Sequence, residues 1–264
     1  MTETTAILRV AMAQAPPTTD LDRLFTEVAN RRADILLFPE MFSNGYARFD
    51  PEIPGARAYW LDGAVDADSA YISGFRRAAK RYGFAIVATF LEAARPKPFN
   101  TACLIDRRGE IVLWQRKRHI CFFDAPEEAC AAGESSSVVV LETAAGPVRA
   151  GLMICMDREF PHVAEELMRN QAELVLVPNS CALMTDPHVG DVRVAGIRAM
   201  GFQSVMGIAV ANYPAPKDDG HSLAVDALGR VLKMGDDAPG LVMADFDLTE
   251  IRALQAQEWF RRRP

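Results

Sequence analysis

The 264-residue chain is half hydrophobic and 24% charged, with a net charge of -6, which excludes global disorder and the basic surface of general nucleic-acid binding. Its start, MTETTAILRVAMAQ, lacks the basic-then-apolar order of a secretory leader. No stretch approaches the roughly eighteen apolar residues of a membrane helix. Five cysteines, at 103, 121, 130, 155 and 181, form no CxxC pair, so reduced thiols and a cytoplasmic location are expected.

Short apolar runs alternate with amphipathic stretches along the chain. Residues 7–13 read as a strand and 20–33 as a helix with Leu21, Leu24, Phe25 and Val28 on one face, capped by Thr18 or Thr19. Residues 34–38 form a buried type of strand closed by Pro39. A helix over 66–82 stops at Gly83, and a strand follows over 84–90. Strands at 100–106 and 110–114 flank the turn Arg107-Arg108-Gly109. A similar pair, 138–141 and 148–154, is expected across Ala145-Gly146-Pro147. Then come a helix at 162–170, a strand at 174–177 ending at Pro178, a helix at 189–201 and a strand at 205–211. A third hairpin joins 222–226 to 231–234. No Gly/Ser/Pro-rich linker or charge block marks a boundary, so one domain over 1–264 is expected. Mixed strands, hairpins and helices imply a layered α/β protein, with a faint internal pseudo-symmetry.

Three segments carry chemistry-bearing residues. In GLMICMDREFP an apolar run delivers Cys155 to a strand end, followed by Asp157-Arg158-Glu159. Such a thiol is either a nucleophile or an inert core cysteine. In LLFPEMF, Glu40 stands just past a buried strand, and in WQRKRHI a basic cluster holds Lys117. A thiol of ordinary pKa is mostly protonated at neutral pH and needs a base or a positive neighbour. Glu40 suits the base, and Lys117 suits the oxyanion of a tetrahedral intermediate.

In these segments the chain resembles the nitrilase, or carbon-nitrogen hydrolase, superfamily. ADILLFPEMF, FNTACLIDRRGEIVLWQRKRH, GLMICMDREFP, AELVLVPNS, RAMGFQSVMGIAVAN and DDGHSLAVDALGRVL follow the family's motifs in its order. The resemblance implies a four-layer αββα sandwich with two mixed β-sheets. It implies Cys155 as nucleophile, Glu40 as general base, Lys117 as oxyanion donor and the Met156 backbone N–H as second donor. A second catalytic glutamate is implied between the Lys and Cys segments. Pro126-Glu127-Glu128 offers two candidates ahead of Gly133, and Glu127 fits the family spacing better. His119 is expected to anchor the lysine loop, and the four histidines are too dispersed to ligate a metal. Neither metal nor cofactor is implied, and a homodimer or higher homo-oligomer is.

True nitrilases carry Trp-Glu after the cysteine, whereas this chain has Met156-Asp157, which favours a small linear amide or N-carbamoyl compound. Arg158 is similar to an arginine that holds the substrate carboxylate in carbamoylases, though Glu159 departs from that pattern. Its alternative is a structural ion pair. Tyr46, Asn179, Ser180 and Cys181 are further pocket candidates, and Phe122-Phe123 is placed at the entrance or in the core. Nitrile hydrolysis, acyl transfer and a non-catalytic binding protein stay open as alternatives.

Overall fold

The computed structural model describes residues 6–121 and 127–258. The first half runs β1 (Ile7–Gln14), α1 (Leu21–Asn30), β2 (Ile35–Leu37), α2 (Ala56–Asp62), α3 (Ala70–Tyr82), β3 (Ala85–Glu92), β4 (Phe99–Ile105) and β5 (Ile111–Arg116). The second runs β6 (Val138–Thr143), β7 (Gly146–Leu152), α4 (Pro161–Arg169), β8 (Leu174–Pro178), α5 (Val192–Ser204), β9 (Gly207–Ala211), β10 (Leu223–Val225) and β11 (Val231–Met234). β12 (Gly240–Asp247) and α6 (Leu248–Gln257) follow.

Two six-stranded sheets result, ordered β12-β1-β2-β3-β4-β5 and β6-β7-β8-β9-β10-β11. In each the pairings run antiparallel, parallel, parallel, antiparallel, antiparallel. The pseudo-symmetry hinted at in the sequence is therefore a repeat of one sheet topology.

Strand side chains alternate between faces, so each sheet feeds two cores. Leu8, Val10, Met12 and Leu37 from one sheet meet Ala150, Leu152, Leu176 and Ala209 from the other. On the outer face Ala11, Leu36, Ile86 and Ile105 pack against Phe25 and Val28 of α1 and Phe75 of α3. Across the molecule Val175, Val177 and Val210 pack against Val163 and Leu167 of α4 and Ile197 of α5. Helix, sheet, sheet, helix is the expected αββα order.

Boundaries differ from the sequence reading at several caps and turns. α1 is capped by Asp20, whose carboxylate accepts the Arg23 N–H, and not by Thr18 or Thr19. α3 starts at Ala70 because Ser69 caps it. α5 ends at Val205 in the left-handed region (φ 51°), a place where glycine is the usual signal. The β6–β7 turn is Ala144-Ala145, with Gly146 already paired to Thr143. No helix among the described residues is long and apolar enough to cross a membrane.

Candidate active site

Parallel strands deliver their carboxyl ends to one region, the usual ligand side of α/β sheets. Glu40 follows β2, Cys155 follows β7, and Asn179-Ser180-Cys181 follow β8. The two sheets meet there: the Glu40 N–H donates to the Asn179 carbonyl at 3.3 Å, and the Tyr213 hydroxyl donates to the Glu40 carbonyl at 2.9 Å. Lys117 follows β5, which runs in the direction of β3 because two antiparallel pairings intervene. Its N–H donates to the Asn100 carbonyl (2.8 Å), and its carbonyl accepts the Gly133 N–H (2.7 Å). A Cβ at Gly133 would stand 2.6 Å from the Arg116 carbonyl, so glycine permits this close approach.

Cys155 opens a 3-10 turn (Cys155–Glu159) with its own φ at 45°, a costly conformation for a non-glycine residue. Asp157 over-determines it. Its carboxylate accepts the N–H groups of Ile154 (3.1 Å), Arg118 (3.1 Å) and His119 (2.8 Å), tying the cysteine turn to the lysine loop. The His119 ring lies 3.0 Å from the same carboxylate and stacks on Phe160, centroids 3.7 Å apart, so His119 does anchor that loop.

Beneath the turn lies a fully buried charged cluster. Lys117 Nζ is 2.7 Å from Glu40 Oε1 and 2.7 and 2.8 Å from the two Glu127 oxygens. Asn100 Nδ2 donates to Glu40 Oε1 at 2.7 Å and also to Glu127. The Cys121 N–H donates to Glu127 at 2.8 Å. Of the two candidate glutamates, Glu127 touches Lys117, while Glu128 is exposed.

These contacts split the two carboxylates. Burial pushes Glu127 up, but the Lys117 charge and the donors around it hold it below the ordinary range. Glu40 goes the other way: burial, then the charge on Cys155, then Glu127 outweigh Lys117 and lift it well above that range. Its Oε2 has no hydrogen-bond partner among the described residues. Burial opposes the charge of Lys117, yet Glu40, Cys155 and Glu127 together keep it ionised. The Cys155 thiol is raised by a hydrogen bond with Cys181 and by burial, with Lys117 opposing.

A cavity of about 580 Å³ opens above the cluster, walled by Tyr46, Cys121, Cys155, Met156, Ser180 and Cys181. Ala182 and seven charged residues, Arg48, Arg158, Arg193, Lys217, Glu159, Asp186 and Asp218, complete its lining. A larger groove, about 680 Å³, runs between α4 and α5 and lacks the carboxylate–lysine cluster. Tyr46, Met156 and Ser180 are thus in the wall, as is Arg158, whose Nη1 bonds Glu159 (2.7 Å) and whose Nη2 faces Cys181 (3.0 Å). Asn179 is fully buried one layer behind, bonded to Asn212 at 2.9 Å. Phe122-Phe123 lies outside the described residues. Sequence reasoning missed Asn100 as a bridge between carboxylates, and it missed Arg193, Lys217 and Asp218 in the lining; a polar residue opening an otherwise apolar strand was the only signal for Asn100.

The carbon-nitrogen hydrolase family profile matches residues 9–256. The chain belongs to that family. A hydrolase from the pqqF 5' region of Pseudomonas protegens is 31% identical over 246 residues, covering 91% of this chain and 80% of that protein. The 2-oxoglutaramate amidase of Bacillus subtilis is 26% identical, covering 86% and 83%. The amidase of Nesterenkonia sp. AN1, in a variant carrying the acetamide moiety of fluoroacetamide covalently on its active-site cysteine, superposes with TM-score 0.76 at 26% identity, over 97% and 98% of the two chains. This carbon-nitrogen hydrolase is an enzyme of the amidase type, in the amidase-like branch of the nitrilase superfamily.

Proposed function

We propose that the enzyme hydrolyses the C–N bond of a small linear amide through an acyl-enzyme on Cys155, with Glu40 as general base and Lys117 as oxyanion donor. The observation that carries this reading is the buried Lys117 held between Glu40 and Glu127 under a cavity that Cys155 lines. Glu40 takes the thiol proton, the thiolate attacks the amide carbon, and the Lys117 ammonium and Met156 N–H receive the developing oxyanion. Glu40 then hands its proton to the departing amine and activates the water that releases the acid. A buried base raised above the ordinary carboxylate range holds a proton readily between the two steps. Glu127 acts through Lys117, fixing its position and charge, and Tyr46, kept protonated by burial and the nearby carboxylates, is a donor at the wall.

Amides are favoured over N-carbamoyl amino acids because Glu159 pairs with Arg158 Nη1 at 2.7 Å and Cys181 faces Nη2, which leaves only Nε without a partner among the described residues. Relatives named as amidases support the same choice. Incubation with an amide panel tests the reading: Cys155→Ala should abolish ammonia release, and wild-type intact mass should show a trapped acyl adduct. Ammonia release unchanged by that substitution would sink it, and turnover confined to nitriles or N-carbamoyl compounds would move the substrate class.

A further inference from the structure

Hydrolysis leaves Cys181, in the cavity wall, without a task. β7 and β8 are parallel neighbours, Leu152 pairing with Leu176, so the loops leaving them run side by side and bring Cys155 and Cys181 together. The Cys155 Sγ lies 3.8 Å from the Ser180 carbonyl, beside Cys181, and both thiols line the same cavity wall. Arg158 Nη2 stands 3.0 Å from Cys181 Sγ and Asn179 Nδ2 stands 3.4 Å from it. The backbone is pinned as well: the Cys181 N–H donates to Asn212 Oδ1 at 3.3 Å, and Asn212 Nδ2 donates to the Cys181 carbonyl at 2.8 Å.

This setting is that of a reactive thiol. The Cys155 hydrogen bond, the Arg158 charge and Asn179 bring Cys181 down to about 7 against the effect of burial. The thiolate is the form that peroxides oxidise, and an adjacent cysteine is what resolves the product. By contrast, burial pushes Cys103 and Cys130 up to about 12 and lifts Cys121 further.

We propose that Cys181 is a peroxide-reactive thiol that closes a reversible disulfide onto Cys155 and so switches the hydrolase off. In the first step the Cys181 thiolate attacks one oxygen of hydrogen peroxide. The O–O bond breaks, hydroxide leaves, and Cys181 becomes a sulfenic acid. In the second, the Cys155 thiol attacks that sulfur, the S–S bond forms, the S–O bond breaks, and water departs with the Cys155 proton. Two electrons pass from the dithiol to the peroxide, and a dithiol reductant returns them. The exchange also shields Cys155 from irreversible oxidation to the sulfinic acid. Loss of activity rests on the hydrolysis reading, whereas the cross-link does not.

The test uses the purified full chain and limiting hydrogen peroxide, with iodoacetamide quenching, intact mass, peptide mapping and ammonia release read in parallel. Wild type should lose two hydrogens, yield a cross-linked peptide pair joining residues 155 and 181, lose activity, and recover both on dithiothreitol. Cys181→Ser should instead gain oxygen on Cys155, and its activity, where present, should not return with dithiothreitol. If that variant misfolds, the wild-type peptide map decides alone. Oxygen added to Cys155 of wild type with Cys181 still alkylatable overturns the proposal and leaves the hydrolase reading standing. A cross-link in a protein that hydrolyses no amide supports the thiol pair and defeats the hydrolase reading.

Discussion

Replacing Glu127 by Gln should move the acid limb of kcat/KM to lower pH. Glu40 and Glu127 both contact Lys117 Nζ at 2.7 Å. Their oxygens are therefore no more than about 5 Å apart, and two unit charges at that separation repel by about 3 kcal/mol at an effective dielectric constant of ~20. That repulsion is one cause of the raised Glu40 pKa, after burial and Cys155. Gln at 127 keeps one acceptor oxygen, for either the Cys121 N–H or the Asn100 donor, and removes the charge. The Glu40 carboxylate becomes easier to form, so its pKa falls, by up to about two units. Glu40 also becomes the single counter-ion of Lys117, a weaker base, and plateau kcat should fall about 10- to 100-fold. Ammonia release from an amide substrate between pH 5 and 9 provides the profile. A lowered plateau with an unmoved acid limb would mean that Glu127 only holds Lys117 in place; a limb moved upward would refute the electrostatic argument outright.

Lys117→Met should destabilise the fold by about 3–5 kcal/mol, read as a lower urea midpoint, because it strands two buried carboxylates. Double substitution with Glu127→Gln should recover part of that loss. Asp219 accepts the N–H groups of Leu183, Met184 and Thr185 at 2.8 to 2.9 Å. Although burial raises it, those donors set its pKa below the ordinary value. Its contribution is present above the unfolded pKa and lost as pH falls through the folded one. Urea midpoints of wild type should therefore drop more than those of Asp219→Asn between about pH 5 and pH 3. The homo-oligomer expected from the family resemblance is checked by sedimentation: Val192, 63% exposed on α5 beside the α4–α5 groove, should yield monomers when changed to Glu. A wild-type monomer would reject that expectation.

Elements whose burial is written locally were legible. Asp34-Ile-Leu-Leu-Phe38 and Leu174-Val-Leu-Val177 are apolar runs closed by proline, and they became the central strands β2 and β8. Elements defined by distant partners were not. β12 pairs with β1, about 240 residues earlier (Ile7 opposite Asp247); its buried Val242, Ala244 and Phe246 alternate with Leu241 and Met243, which are apolar too, so the sequence itself alternates little. α2 buries only Trp60 and has no side-chain cap, so its sequence carries little helical pattern. α6 offered a signal that went unread, the Asp247 cap accepting the N–H groups of Thr249 and Glu250.

The same division runs through the site. Glu40 and Cys155 stand just past apolar strands and Lys117 just past β5, positions that put a polar group at a cavity, and the sequence marks all three. What distinguishes Glu40 from Glu127 is partner count, which no local window contains. Glu127 collects Lys117, the Cys121 N–H and Asn100, so its charge is compensated from several sides. Glu40 shares Lys117 and Asn100 through one oxygen and keeps Oε2 unpaired. Two carboxylates on one ammonium are thereby driven apart in pKa, the arrangement that separates a fixed counter-ion from a group able to carry a proton. Exchanging their environments tests the point: Asn100→Leu removes a donor from both, and because Glu127 retains the Cys121 N–H while Glu40 retains only Lys117, the acid limb should rise. A limb that falls, or stays, would mean that Asn100 does not support the Glu40 carboxylate.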